Sequence, residues 1–158
     1  MSDHDQNKYM LQALLEARAS AACSEVPVGA VVVDTATGTV IARAGNRTEK
    51  DNNPLAHAEM IVLQEAAALK GAPRLVDCDL YVTLEPCPMC AAALSLARIR
   101  RVYFGAYDPK GGGVDHGPRI FDHATCHHKP EVYGGIEEEA CGEILKAFFK
   151  DKRYNGLK

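Results

Sequence analysis

The chain has 158 residues, 47% hydrophobic and 25% charged, with a formal net charge of −3. That suits a single domain, residues 1–158, able to bury about two thirds of its unfolded surface, and the net acidity argues against a broad, non-specific nucleic-acid binder. No apolar run approaches the ~20 residues that cross a bilayer, and the polar residues 1–8 lack the apolar core of a signal peptide, so a cytoplasmic, membrane-free protein is expected.

In chain order, residues 8–22 read as an amphipathic helix, with Tyr9, Leu11, Leu14 and Leu15 at helical spacing. Glu25-Val26-Pro27 ends it. Residues 28–33 form a continuous, β-branched run, the pattern of a strand buried on both faces. Within it Gly29 suits close approach, either by a ligand or by packed backbone. A turn at 34–38 and a second strand at 39–45 complete a hairpin. Asn46 follows in a loop to Pro54, where it is either a turn former or a substrate contact. A helix over 56–70 ends near Gly71. A third strand at 79–84 leads into Glu85-Pro86-Cys87 and a helix at 87–97, rich in small residues. Arg101 opens a fourth strand to Gly105. Residues 106–129 read as a long glycine-rich loop, the kind of segment that is functional or mobile in a compact domain. A short edge strand at 131–133 and a helix over 136–153 close the chain. The order implies a mixed sheet of about five strands with helices on both faces, an α/β protein in three layers, α/β/α.

Two segments carry the chemistry: Ala56-His57-Ala58-Glu59 and Pro86-Cys87-Pro88-Met89-Cys90. Cys87 and Cys90 are one helical turn apart and His57 adds a nitrogen, three donors of the kind zinc prefers. A structural zinc site closes with a fourth protein ligand; a catalytic one leaves that position to water, whose pKa zinc lowers to roughly 7. Both segments open apolar helical runs, and a helix start favours thiolate over thiol. Glu59, two residues past His57, is placed for proton transfer beside the metal. The combination H-x-E with P-C-x-x-C is the signature of zinc nucleobase deaminases. The competing readings are a closed structural zinc site and plain core cysteines. Cys23, Cys78, Cys126 and Cys141 lie at no metal spacing and read as ordinary thiols. Charge is uneven: Arg98, Arg100 and Arg101 cluster, and residues 146–158 hold five basic residues against one acidic, either a solvated surface or a partner-binding one.

On these segments, and on Glu25-Val26-Pro27-Val28-Gly29-Ala30, Gly45-Asn46-Arg47, residues 79–87 and 97–106, the chain resembles the bacterial tRNA-specific adenosine deaminases of the zinc-dependent cytidine/deoxycytidylate deaminase superfamily. The resemblance covers nearly the whole chain. It implies a cytidine-deaminase-like fold, one Zn2+ per subunit, a homodimer, and conversion of the wobble adenosine of an arginine tRNA with an ACG anticodon to inosine. The partner would be the tRNA anticodon loop, with no DNA expected. By the same resemblance His57, Cys87 and Cys90 bind zinc, and Glu59 takes a proton from the zinc-bound water, hands it to the ring nitrogen beside the carbon under attack and later protonates the departing amine. Asn46 meets the flipped base, Asp108 the sugar, and Lys110, Phe149 and Arg153 lie near the anticodon loop. The alternative is a deaminase of a free nucleobase or nucleoside such as guanine or cytosine, which would share the zinc site. Tyr107 departs from the arginine frequent in close relatives; it either stacks on a base or packs on the surface. His116, His123, His127 and His128 fit no standard metal spacing and are read as surface histidines.

Overall fold

The computed structural model describes residues 3–156. Its elements run α1 (Asp3–Ala22), β1 (Gly29–Asp34), β2 (Thr39–Gly45), α2 (Ala58–Lys70), β3 (Cys78–Leu84), α3 (Pro88–Leu96), β4 (Arg101–Ala106), a 3-10 turn (Ile120–Asp122), β5 (Glu131–Tyr133) and α4 (Glu138–Gly156). The first helix starts five residues before the expected Lys8, with Asp3 and Asp5 in its first turn, where carboxylates complement the unpaired N–H groups. The last starts two residues after the expected Ile136, because Gly135 and Glu137 take left-handed backbone conformations that precede a helix rather than join it.

One mixed sheet has the order β2-β1-β3-β4-β5. The β1–β2 and β1–β3 pairs are antiparallel, whereas β3–β4 and β4–β5 are parallel. Strand alternation sorts the core into two layers. Ala30, Val32, Leu80, Val82, Val102 and Phe104 face α2 and α3, which contribute Ala58, Val62, Ala66, Ala91 and Leu94. Val31, Val33, Tyr81 and Tyr103 face the other way, toward Tyr9, Met10, Ala13 and Leu14 of α1 and Cys141 of α4. Both faces of β1 are therefore covered, which is why its residues are apolar without alternation. The three-layer α/β/α arrangement with five strands is the one expected from the element order.

Gly29 is resolved as a packing residue. A Cβ there would run into the carbonyl oxygen of Ala13, and one on its register partner Gly45 would meet the Ser20 hydroxyl. The pair lets the backbone of α1 lie directly on the hairpin. The expected loop at 106–129 contains only the 3-10 turn, but it is anchored: Val114 and Phe121 are buried in the α2/α3 layer.

The arginine cluster is not a free basic patch. Arg100 makes a two-pronged bond to the buried Asp79 carboxylate, at 2.9 and 2.7 Å, Arg101 pairs with Glu131, and Arg98 donates to the Ser95 carbonyl at 3.3 Å. Of the basic 146–158 stretch, residues 157 and 158 lie outside the described residues. No helix among the described residues is long and apolar enough to cross a membrane.

Candidate metal centre and substrate cleft

Both motifs sit at helix starts. His57 is the N-cap of α2 and Cys87 the N-cap of α3, each with extended backbone and neither capping with its own side chain. That leaves imidazole and thiol free to point away from the helix. Pro88 occupies the first turn of α3, where a missing N–H has no cost. The orphan N–H of Ala58 is met instead by Asn46 Oδ1 at 2.8 Å.

The metal-binding atoms of His57, Cys87 and Cys90 all lie within 4.8 Å of one another, and they are the only such group among the described residues. His57 Nδ1 is 3.6 Å from Cys87 Sγ and 3.5 Å from Cys90 Sγ. Cys87 is drawn down to about 4, chiefly by the hydrogen bond from Cys90 and further by His57, against the opposing effect of burial. Cys90 is pushed up, because it keeps the proton it shares with Cys87 and is buried. The bond to Cys87 likewise raises His57. Two sulfurs beside one imidazole nitrogen are a soft donor set that fits a single zinc ion, with no fourth protein ligand in the cluster.

Glu59 is buried in the first turn of α2. Burial raises its carboxyl, while bonds from its own backbone N–H and from Cys90 oppose that rise. It stands beside the three donors without joining them.

Asp108, Lys110, Phe149 and Arg153 come together. They line one cleft of about 1000 Å³ between the 106–111 segment and α4, with Tyr107, Lys146 and Lys152. Leu84 and Ala106, the last residues of β3 and β4, form its inner wall. This is the end of the sheet from which Glu85 and Pro86 lead into α3, so cleft and donor set share the carboxyl edge of the parallel strands. The metal-binding residues and Asn46 are not in its lining. Asn46 is tied to the start of α2, beside His57, through the Ala58 N–H. Sequence reasoning missed Lys146 and Lys152. Their signal was available: 146, 149 and 153 share a helical face at spacings of three and four, with 152 beside them.

Tyr107 is part wall and part packing. It stands edge-on to Phe104, with ring centroids 5.0 Å apart, and is 39% exposed toward the cleft. The histidines form no second metal cluster among the described residues. His123 and His127 are exposed, as expected, with His123 bonding the Pro118 carbonyl; His116 and His128 are half-buried, His116 Nδ1 bonding Glu85 at 2.8 Å and His128 Nε2 the Ile99 carbonyl at 2.6 Å. The remaining four cysteines, Cys23, Cys78, Cys126 and Cys141, are free thiols.

Residues 3–106 match the family model of the cytidine and deoxycytidylate deaminase zinc-binding region. The tRNA-specific adenosine deaminase of Agrobacterium fabrum is 54% identical over 149 residues, 94% of this chain and 97% of that protein. A solved structure from a study of A-to-I editing by tRNA:A34 deaminases at the wobble position superposes with a TM-score of 0.85 at 55% identity, covering 87% of this chain and 99% of the other. The guanine deaminase of Nitrosomonas europaea shares the fold at 22% identity, with a TM-score of 0.78 over 90% of this chain and 83% of its own. The donor set, the buried glutamate beside it and the near full-length identity agree: the chain belongs to the zinc-binding cytidine and deoxycytidylate deaminase family, among the tRNA-specific adenosine deaminases.

Proposed function

We propose that the protein hydrolytically deaminates adenosine to inosine at the wobble position of a tRNA anticodon, with an arginine tRNA carrying ACG as the substrate. The observation that carries this reading is the cleft. Lys110, Lys146, Lys152 and Arg153 give it positive charge while Phe149 and Tyr107 give it aromatic faces. Cations with stacking platforms suit an unpaired, splayed RNA loop and are more than a free base requires.

His57, Cys87 and Cys90 would hold the zinc ion. When bound, zinc supplies a Lewis acid that makes water acidic near neutral pH. Glu59 holds and moves protons: it takes one from the attacking water and delivers it to the ring nitrogen next to the carbon under attack, then takes the second from the hydroxyl now bonded to that carbon and gives it to the amine, which leaves as ammonia while the carbonyl forms. Burial raises its carboxyl above the usual carboxylate range, which favours holding a proton between the two transfers. Asn46 has its oxygen committed to Ala58, so its NH2 group is the one offered to the base as a donor. Asp108 spends one oxygen on the Lys110 and Gly111 N–H groups, at 3.2 and 2.9 Å, leaving the other for a sugar hydroxyl. A cytoplasmic homodimer is part of the proposal, on the family resemblance.

The test is incubation of the zinc-loaded protein with the arginine tRNA and, in parallel, with free adenosine, cytidine and guanine. Inosine at the wobble position, with the free compounds unchanged, is expected. Ammonia from a free base with the tRNA intact would reassign the cleft to a small metabolite.

A further inference from the structure

Glu85 has no part in the chemistry above, yet its carboxylate is fully buried and ringed by donors. Its Oε1 accepts the Asp108 N–H at 3.1 Å and faces His116 Nδ1 at 2.8 Å. Its Oε2 accepts the N–H groups of Val114, Asp115 and His116 at 3.3, 3.1 and 3.0 Å. All these donors lie in one segment, 108–116, and the acceptor follows β3, directly before Pro86. The glycines of the segment are shaped to this contact. A Cβ on Gly112 would strike Glu85 Oε2, and one on Gly113 would strike the Pro88 backbone. Gly113 also donates its N–H to the Pro86 carbonyl at 2.8 Å.

We propose that Glu85 is a positioning residue that sets segment 108–116 in register with Pro86-Cys87-Pro88 and so places Asp108 and Lys110 against the RNA. A buried anion ringed by backbone N–H groups has one low-energy arrangement, because any shift of the loop leaves the charge or the amides unpaired. The tie is between the element that brings Cys87 to the donor set and the element that lines the cleft. Two surfaces built from distant sequence thereby keep a fixed separation. The RNA half of the proposal rests on the function proposed above; the ordering of the loop does not.

Glu85→Gln in the zinc-loaded full-length protein tests it, with three readouts: zinc content, steady-state kinetics on the arginine tRNA, and amide hydrogen exchange. The expected result is one retained zinc, exchange at 108–116 faster by at least roughly 10-fold with β3 and β4 unchanged, and KM for the tRNA raised by about 10-fold or more with kcat within about 3-fold. Unchanged exchange at 108–116, unchanged KM, or a joint loss of zinc and kcat would overturn it. If Glu85→Gln does not fold, Gly112→Ala displaces the carboxylate from the loop side, and His116→Ala removes its one side-chain partner; both should give the same pattern in smaller measure. A wild-type protein that leaves the tRNA unedited defeats the functional reading and the RNA half with it, and the exchange comparison then decides the loop claim alone.

Discussion

Asn46 Oδ1 accepts the N–H of Ala58 at 2.8 Å, which makes a residue after β2 the cap of the helix that opens beside His57. The bond fixes which way the carboxamide points, because a backbone N–H can only be met by the oxygen. Asn46→Asp keeps the acceptor and removes the NH2 donor. It is expected to hold Tm near wild type and to lose most turnover on the tRNA. Asn46→Ala removes both and should also cost about 1 kcal/mol in a denaturant unfolding series. Equal activity in wild type and Asn46→Asp would rule out a donor role toward the base.

Glu59→Gln preserves size and hydrogen bonding but cannot carry a proton. Full zinc occupancy with turnover reduced by about 10²–10⁴-fold is expected, read by metal analysis and single-turnover inosine formation. An active Glu59→Gln protein would make Glu59 merely structural.

Removal of zinc should destabilise the fold as well as abolish activity. The donor set joins the starts of α2 and α3, so metal bound 1,000-fold above its Kd stabilises by about 4 kcal/mol, equivalent to roughly 8–16 °C in Tm for a chain of this size. Thermal melts with and without chelator, followed by zinc restoration, check both the shift and its reversibility.

The cleft cations should act on affinity rather than chemistry. Arg153→Ala and Lys146→Ala are each expected to raise KM for tRNA with little change in kcat. Each should also flatten the dependence of log K on log salt by roughly 0.7 for every phosphate that is no longer neutralised. Binding titrations at several salt concentrations read this directly, and an unchanged slope would show that the side chain does not meet the RNA.

Gly29→Ala should be costly although alanine suits a strand better than glycine does. The added methyl meets the Ala13 carbonyl, part of helix backbone that cannot rotate aside. A loss of about 1–3 kcal/mol is expected, or more if α1 is displaced, measured by urea unfolding.

The candidate zinc ligands were legible in the sequence because zinc chemistry restricts both residue type and spacing: two thiols one helical turn apart, each motif at the start of an apolar helical run. The first strand was legible for a similar reason, since burial on both faces of β1 demands an unbroken apolar run. The family followed from those motifs and from their flanking residues. Other questions needed the folded chain. Gly29 read equally as a ligand approach or a packing site until α1 was seen lying on it. Arg100 and Arg101 looked like a basic patch until Asp79 and Glu131 were found opposite them. Glu85 looked like a link between a strand and a proline, and nothing near it in sequence announced that amides more than twenty residues away converge on its carboxylate. Local pattern encodes what a residue must be to sit in a helix, a strand or a metal site. Which distant groups satisfy a buried charge is decided only when the chain closes on itself, because those partners come from long-range contacts that no local spacing records.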